Sequence, residues 1–244
     1  MLNLERRWPL GLTRKSWPDA AAAVVLLLFV LLFFDAWISV TLQAWPEVWR
    51  EPFGFVTHFG LSDWVLIPSL LILLLGLLAL RMPVGRYRAA IAELSLLSGF
   101  IFVAVGLPGL AVNLLKRLFG RARPDHYPEL GAFHFQPILN DWSFQSFPSG
   151  HSTTAIGTAL VVGFLFPRFF SLILFIAVMT GLSRIVTGQH YATDVIAGFV
   201  VGGLGAYIIR NEFARRRWLF AARADGSIRF RGLPKLRRLF RGRA

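Results

Sequence analysis

Fifteen consecutive apolar residues, AAAAVVLLLFVLLFF at positions 20–34, run without a polar side chain until Asp35. Crossing about 30 Å of hydrocarbon takes roughly 20 helical residues at about 1.5 Å each. With its flanks the run is long enough, so a membrane-spanning helix is expected over residues 19–41. Arg14 and Lys15 precede it, as they would in a secretory leader. The TLQAW that follows has no convincing small-x-small cleavage site, so the segment is expected to stay as a crossing.

Five more apolar segments follow, at about 62–81, 89–112, 149–166, 169–187 and 191–210. Only PRF joins the fourth crossing to the fifth, which predicts a tight helical hairpin. Composition agrees. The chain is 55% hydrophobic with 23 Phe and 8 Trp, and 16% of it is charged, against about 25% in a soluble domain. The fold expected is all-α, an integral membrane bundle of six transmembrane helices. One domain would cover residues 1–210, with a basic tail over 211–244.

Positive charge sets the direction. Arg6, Arg7, Arg14 and Lys15 precede the first crossing; Arg81, Arg86 and Arg88 lie between the second and third; Arg168 lies between the fourth and fifth. From Arg210 onward there are twelve Lys or Arg against two acids. Six crossings place all of these on one side, the cytoplasm, with both termini. The net charge of +13 therefore points to anionic lipid and not to nucleic acid. The stretch RGLPKLRRLFRGRA spaces Leu233, Leu236, Leu239 and Phe240 among arginines, which suits an interfacial helix or a disordered basic tail.

One loop on the opposite face breaks the charge rule. KRLFGRARP, at residues 116–124, carries four positive charges. Binding an anion would justify them. Two more polar clusters fall on that face, PSGH at 148–151 and SRIVTGQHYATD at 183–194. Arg123 and Arg184 are planar donors suited to phosphate oxygens, and Lys116 adds a point charge. Ser149 suits a helix N-cap, and Gly150 leaves the backbone open at a helix start, where free N–H groups favour anions. His190 and Asp194 are spaced i, i+4 and share a face if both are helical. Asp194 would then fix one ring nitrogen and leave the other as a nucleophile. His151, on another crossing, would protonate a leaving alkoxide.

These residues resemble the three-part signature of the type 2 phosphatidic acid phosphatase (PAP2) family, which shares its site with vanadium haloperoxidases. The positions that match are Lys116, six residues, Arg123-Pro124; Pro148-Ser149-Gly150-His151; and Ser183-Arg184, five residues, His190, three residues, Asp194. The resemblance implies an all-helical, metal-independent lipid phosphate phosphatase. It implies that His190 attacks phosphorus to form a phosphohistidine, that Asp194 orients His190, and that His151 protonates the leaving group. Lys116, Arg123, Ser149, Gly150 and Arg184 would hold the phosphate.

No metal or cofactor is expected. The chain has no cysteine, and His58, His126 and His134 lack ligand-like spacing. Arg117 and Arg121 are expected to be spacer positions meeting lipid phosphates. Asp35 and Glu93 lie inside or near apolar segments, where a buried charge is a functional candidate; both are also near expected ends, where interfacial water would solvate them. Gly157 and Gly163 are expected to pack crossings together. Aromatics of the outer loops, Trp142 and Phe144 among them, would anchor the interface or guide a lipid into the site. The substrate would be a lipid phosphate monoester or diphosphate: lipid A phosphate, phosphatidylglycerol phosphate, phosphatidic acid or undecaprenyl diphosphate. A lipid-to-lipid phosphotransferase and a non-catalytic lipid-binding protein are the alternatives. Membrane lipids are the expected partners, with no obligate protein partner, and the expected location is a bacterial inner membrane with the site facing the periplasm.

Overall fold

The computed structural model describes residues 3–138 and 141–240. Helix α1 spans Trp17–Gln43, with Pro18 and Asp19 in the first turn where a missing N–H and a negative charge both suit a helix start. Helix α2 (Glu47–Val56) and a 3₁₀ turn (Thr57–Gly60) lead into α3 (Asp63–Ala79). Helix α4 covers Arg88–Phe119, a one-turn helix α5 covers Tyr127–Leu130, and α6, α7 and α8 span Gly150–Leu165, Phe170–Val186 and Ala192–Arg215. Strands β1 (Phe220–Ala222) and β2 (Ile228–Phe230) pair antiparallel, and α9 covers Pro234–Phe240.

Among the described residues, five helical stretches are long and apolar enough to cross a membrane, and α6, with 16 residues, is a shorter sixth. The chain is a multi-pass membrane protein. Only 6% of the most apolar window of α1 is buried, so Leu26, Phe29, Phe33 and their neighbours form a surface that hydrocarbon must cover. By contrast α6 is central, packed against α4, α7 and α8. Glycines bring α8 close to it: a β-carbon on Gly202 would lie 2.4 Å from the carbonyl oxygen of Thr153. Gly163 lets Leu4 and Phe170 close over the other end of α6.

Two boundaries differ from expectation in ways that matter for the site. The third crossing was expected to end at 112, but α4 continues to Phe119, so Lys116 sits in its last turn. Basic residues are favourable there, and no breaker intervenes before Gly120. Residues 47–60, expected as a loop, are mostly helical and pack against α7.

At the opposite end the chain folds back. α8 runs on to Arg215, and the residues after it make the hairpin whose Phe220 packs edge-to-face on Phe100, ring centroids 4.9 Å apart. Arg210 is buried and donates to the carbonyl oxygens of Leu4 and Arg6. Glu93 is not merely solvated: it accepts from the N–H groups of Lys235 and Leu236 and so caps α9. The last four residues of the basic stretch, 241–244, lie outside the described residues.

Candidate active site

The three polar clusters meet at one end of the bundle. Gly120 ends α4 in the left-handed region at φ +63, and its N–H bonds to the carbonyl of Lys116 at 2.9 Å. The chain then runs extended, held on both sides. Ala122 N–H donates to His134, Arg123 N–H to Ser143, and Ser146 N–H to the Arg121 carbonyl, all at 2.9–3.0 Å. This lacing presents Lys116 and Arg123 from one segment.

Contacts between clusters are direct. Lys116 Nζ lies over the bare Cα of Gly150, 3.6 Å from where a β-carbon would sit. The N–H of Ser149 donates to the carbonyl of Asp194 at 2.9 Å. Arg123 Nη1 donates to Gln189 Oε1 at 2.6 Å, and its guanidinium stacks on Trp142 at 4.7 Å. Arg184 Nη1 donates to Thr57 Oγ1 at 2.6 Å, while its Nε is buried with no partner among the described residues. None of Lys116, Arg123 and Arg184 pairs with a carboxylate among the described residues. Burial lowers the pKa of Arg123 against the opposing pull of Asp125 and Asp194.

Ser149 is the N-cap of α6. Its Oγ accepts from Ser152 Oγ at 3.0 Å, which leaves its own hydrogen for a further acceptor. Gly150 and His151 open the helix, where N–H groups have no intrahelical acceptor. Gly60 backs His151: a β-carbon on Gly60 would fall 2.7 Å from the histidine Cβ. The charges of Lys116 and Arg184 act on both His151 and His190, so the two rings share one cationic environment.

His190 departs from the expected geometry. It lies just before α8 and not within it, held by its N–H bond to the Arg184 carbonyl at 3.0 Å. Asp194, in the first turn, reaches back to the N–H of Tyr191 at 2.8 Å. Its nearest carboxylate oxygen is 3.7 Å from His190 Nδ1, too long for a hydrogen bond. The reason is competition, because the Ser146 hydroxyl donates to that oxygen at 2.5 Å and stands 3.5 Å from His190 Nδ1. His190 is 1% exposed. Burial pushes its pKa down to about 3; Asp194 resists the shift, and Lys116 and Arg184 add to it. The ring is therefore neutral, as a nucleophile must be.

Arg121 is a correction, and Asp35 takes the buried one of its two expected readings. Neither meets lipid or interfacial water: both are buried, Arg121 is 2% exposed, and it bonds to Asp35 at 2.9 Å and to Asp194 at 2.7 Å. Burial works against the charge on Arg121, but the carboxylates of Asp194 and Asp35 outweigh it and raise its pKa. Sequence spacing could not reveal this, because the pairing joins positions 86 residues apart. The lone acid that ends an otherwise apolar run was the available signal.

Residues 98–218 match the family model described as the PAP2 superfamily. The chain is 34% identical to a lipid A 1-phosphatase of Rhizobium johnstonii, over 98% of this chain and 97% of that one. It is 35% identical to a lipid A 1-phosphatase of Rhizobium etli, over 86% and 88%. Among solved structures, the transmembrane PAP2 type phosphatidylglycerolphosphate phosphatase from Bacillus subtilis aligns with a TM-score of 0.51 at 23% identity, covering 80% of this chain and 96% of that one. The ordered signature, the helical bundle and the near full-length relatives agree, and the chain belongs to the PAP2 superfamily.

Proposed function

We propose that this protein is a membrane lipid phosphatase that removes a phosphate monoester from lipid A, the 1-phosphate first, at the periplasmic face of a bacterial inner membrane. The observation that carries the reading is the cup itself. Three cations pair with no carboxylate among the described residues; the charges of Lys116 and Arg184 act on a buried, neutral imidazole, and Arg123 bonds to Gln189 beside it. Such a site suits a tetrahedral dianion and little else. Lipid A is favoured among lipid phosphates because the near full-length relatives carry that name. The positive-inside rule supports the periplasmic face, since Arg86, Arg168 and the C-terminal arginines all follow crossings that end away from the site.

In this reading Lys116, Arg123, Arg184 and the N–H groups that open α6 take the phosphate oxygens, with Ser149 donating its free hydrogen. These donors stabilise charge on the phosphoryl group as it transfers. His190 attacks phosphorus through Nε2 as the P–O bond to the lipid breaks, and His151, protonated once the bound phosphate dianion offsets the surrounding cations, gives that proton to the departing oxygen and is left as a neutral imidazole. The ring of the phosphohistidine carries positive charge, which Asp194 faces from the Nδ1 side. His151 then takes a proton from water as it displaces the phosphate from His190. Trp142, exposed and stacked on Arg123, stands where a lipid would enter.

The test is release of free phosphate by the purified protein from single lipids: lipid A, phosphatidylglycerol phosphate, phosphatidic acid and undecaprenyl diphosphate. Fastest release from lipid A, with the product lacking the 1-phosphate, is expected. Intact lipid A alongside turnover of another lipid would overturn the substrate assignment. Loss of the lipid phosphate with no free phosphate would mean transfer to a second lipid.

A further inference from the structure

We propose that Asp35, on the first crossing, and Arg121 are positioning residues that hold Asp194, and through it His190, for phosphoryl transfer. The inference rests on the assignment of His190 as the nucleophile.

Asp35 lies outside the matched family region, 63 positions before its start at residue 98. Most of α1 faces hydrocarbon, and its fully buried residues are Asp35 and Ser39. Asp35 meets only donors: Arg121 Nη2 at 2.9 Å, the N–H of Thr193 at 3.0 Å, and the Thr193 hydroxyl in a short bond. That is the pattern of an ionised carboxylate.

Arg121 spends all five of its N–H donors. Nε and Nη2 each donate to the Ala132 carbonyl at 3.1 Å, and the second hydrogen of Nη2 goes to Asp35. Nη1 donates to Thr193 Oγ1 and to Asp194 Oδ1, both at 2.7 Å. The Tyr191 ring lies under the guanidinium at 4.3 Å. A fork fixed at every arm leaves Asp194 one position. Farther along α1, Gln43 packs on Gly188 in the loop that carries His190. The first crossing thus meets the chain on both sides of His190, at Gly188 in its loop and at Thr193 in the first turn of α8.

Charge gives the arrangement a use. Two carboxylates and one guanidinium leave one net negative charge, buried beside a ring that is neutral at rest and positive once it bears phosphorus. Burying three charges is a poor route to stability, so a functional role is the better account. Removing Asp35 would leave the network neutral and the positive ring less favoured, without touching the cup that binds phosphate.

The experiment compares full-length wild type with Asp35→Asn in detergent micelles. It measures kcat on a short soluble phosphate ester and the inhibition constant of inorganic phosphate. The expected result is a kcat lower by about 10- to 100-fold, as for a small misplacement of reacting groups, with the inhibition constant within about twofold. If Asp35→Asn does not fold, Thr193→Val decides. It keeps both carboxylates and the guanidinium but removes the bridging hydroxyl, and kcat should fall about fivefold, the worth of one hydrogen bond, with phosphate inhibition unchanged. Turnover by Asp35→Asn near the wild-type rate would overturn the inference, as would a parallel loss of kcat and phosphate affinity. Run alongside, His190→Ala separates the two readings. If it is active, the nucleophile assignment fails; if it is inactive while Asp35→Asn is fully active, only the present inference fails.

Discussion

The guanidinium of Arg121 lies 2.7 Å from the carboxylate of Asp194, and both side chains are buried. Replacing Arg121 with Ala strands two buried carboxylates. Removing one partner of a buried pair costs about 3–5 kcal/mol. Thermal unfolding in detergent should show a large drop in midpoint for Arg121→Ala and a smaller one for Arg121→Lys, whose point charge cannot serve both acids. An unchanged midpoint for Arg121→Ala would contradict the assigned pairing.

Ser146 is a separate handle on the same carboxylate. Its hydroxyl donates to Asp194 at 2.5 Å and stands between the acid and His190. A hydrogen bond to a charged group is worth about 1.5–3 kcal/mol. Ser146→Ala should therefore lower kcat, by at most roughly ten- to a hundredfold, to the extent that the bond is stronger in the transition state than before it. A rate equal to wild type would show that Asp194 does not need this donor.

Stability should respond to His190 with a defined sign. In the folded chain the ring stays neutral down to about pH 3, whereas its ordinary pKa is 6.5. Between those values the unfolded chain takes up a proton that the folded chain refuses. This contribution is present above pH 6.5 and is lost as pH falls toward 3, at up to about 1.4 kcal/mol per unit. The unfolding midpoint of His190→Gln should fall less steeply over that range than that of wild type. Parallel curves would mean that the ring titrates normally.

Much of this was legible from residue order, for identifiable reasons. Apolar runs longer than a bilayer is thick are a local property, so the crossings could be read directly. Lys116, Arg123, His151, Arg184 and His190 could be grouped because each stands at the end of such a run. The partnership of Asp35 with Arg121 is tertiary, and no spacing rule reaches across 86 positions. The inward turn of Phe220 and Ile228 was likewise hidden, because arginines surround them in sequence and only the folded hairpin separates the two faces. Asp194 faces His190 as the i, i+4 spacing suggested, but only to 3.7 Å, because the helix that spacing assumes starts after His190.

Orientation has a clean test, because the chain contains no cysteine. Single cysteines at Glu129, near the site, and at Arg86, at the other end, occupy exposed positions. A membrane-impermeant thiol reagent added to cells with a permeabilised outer membrane should label Glu129→Cys and spare Arg86→Cys until the inner membrane is opened. The reverse pattern would place the site in the cytoplasm.

The most direct measurement is capture of the covalent intermediate. Wild-type protein mixed with a substrate carrying labelled phosphorus and quenched within the first turnover should hold label in a bond that survives alkali and breaks in acid, mapped to residue 190. His190→Ala should hold none and release no phosphate. Wild-type turnover by His190→Ala, or label found on another residue, would contradict the account.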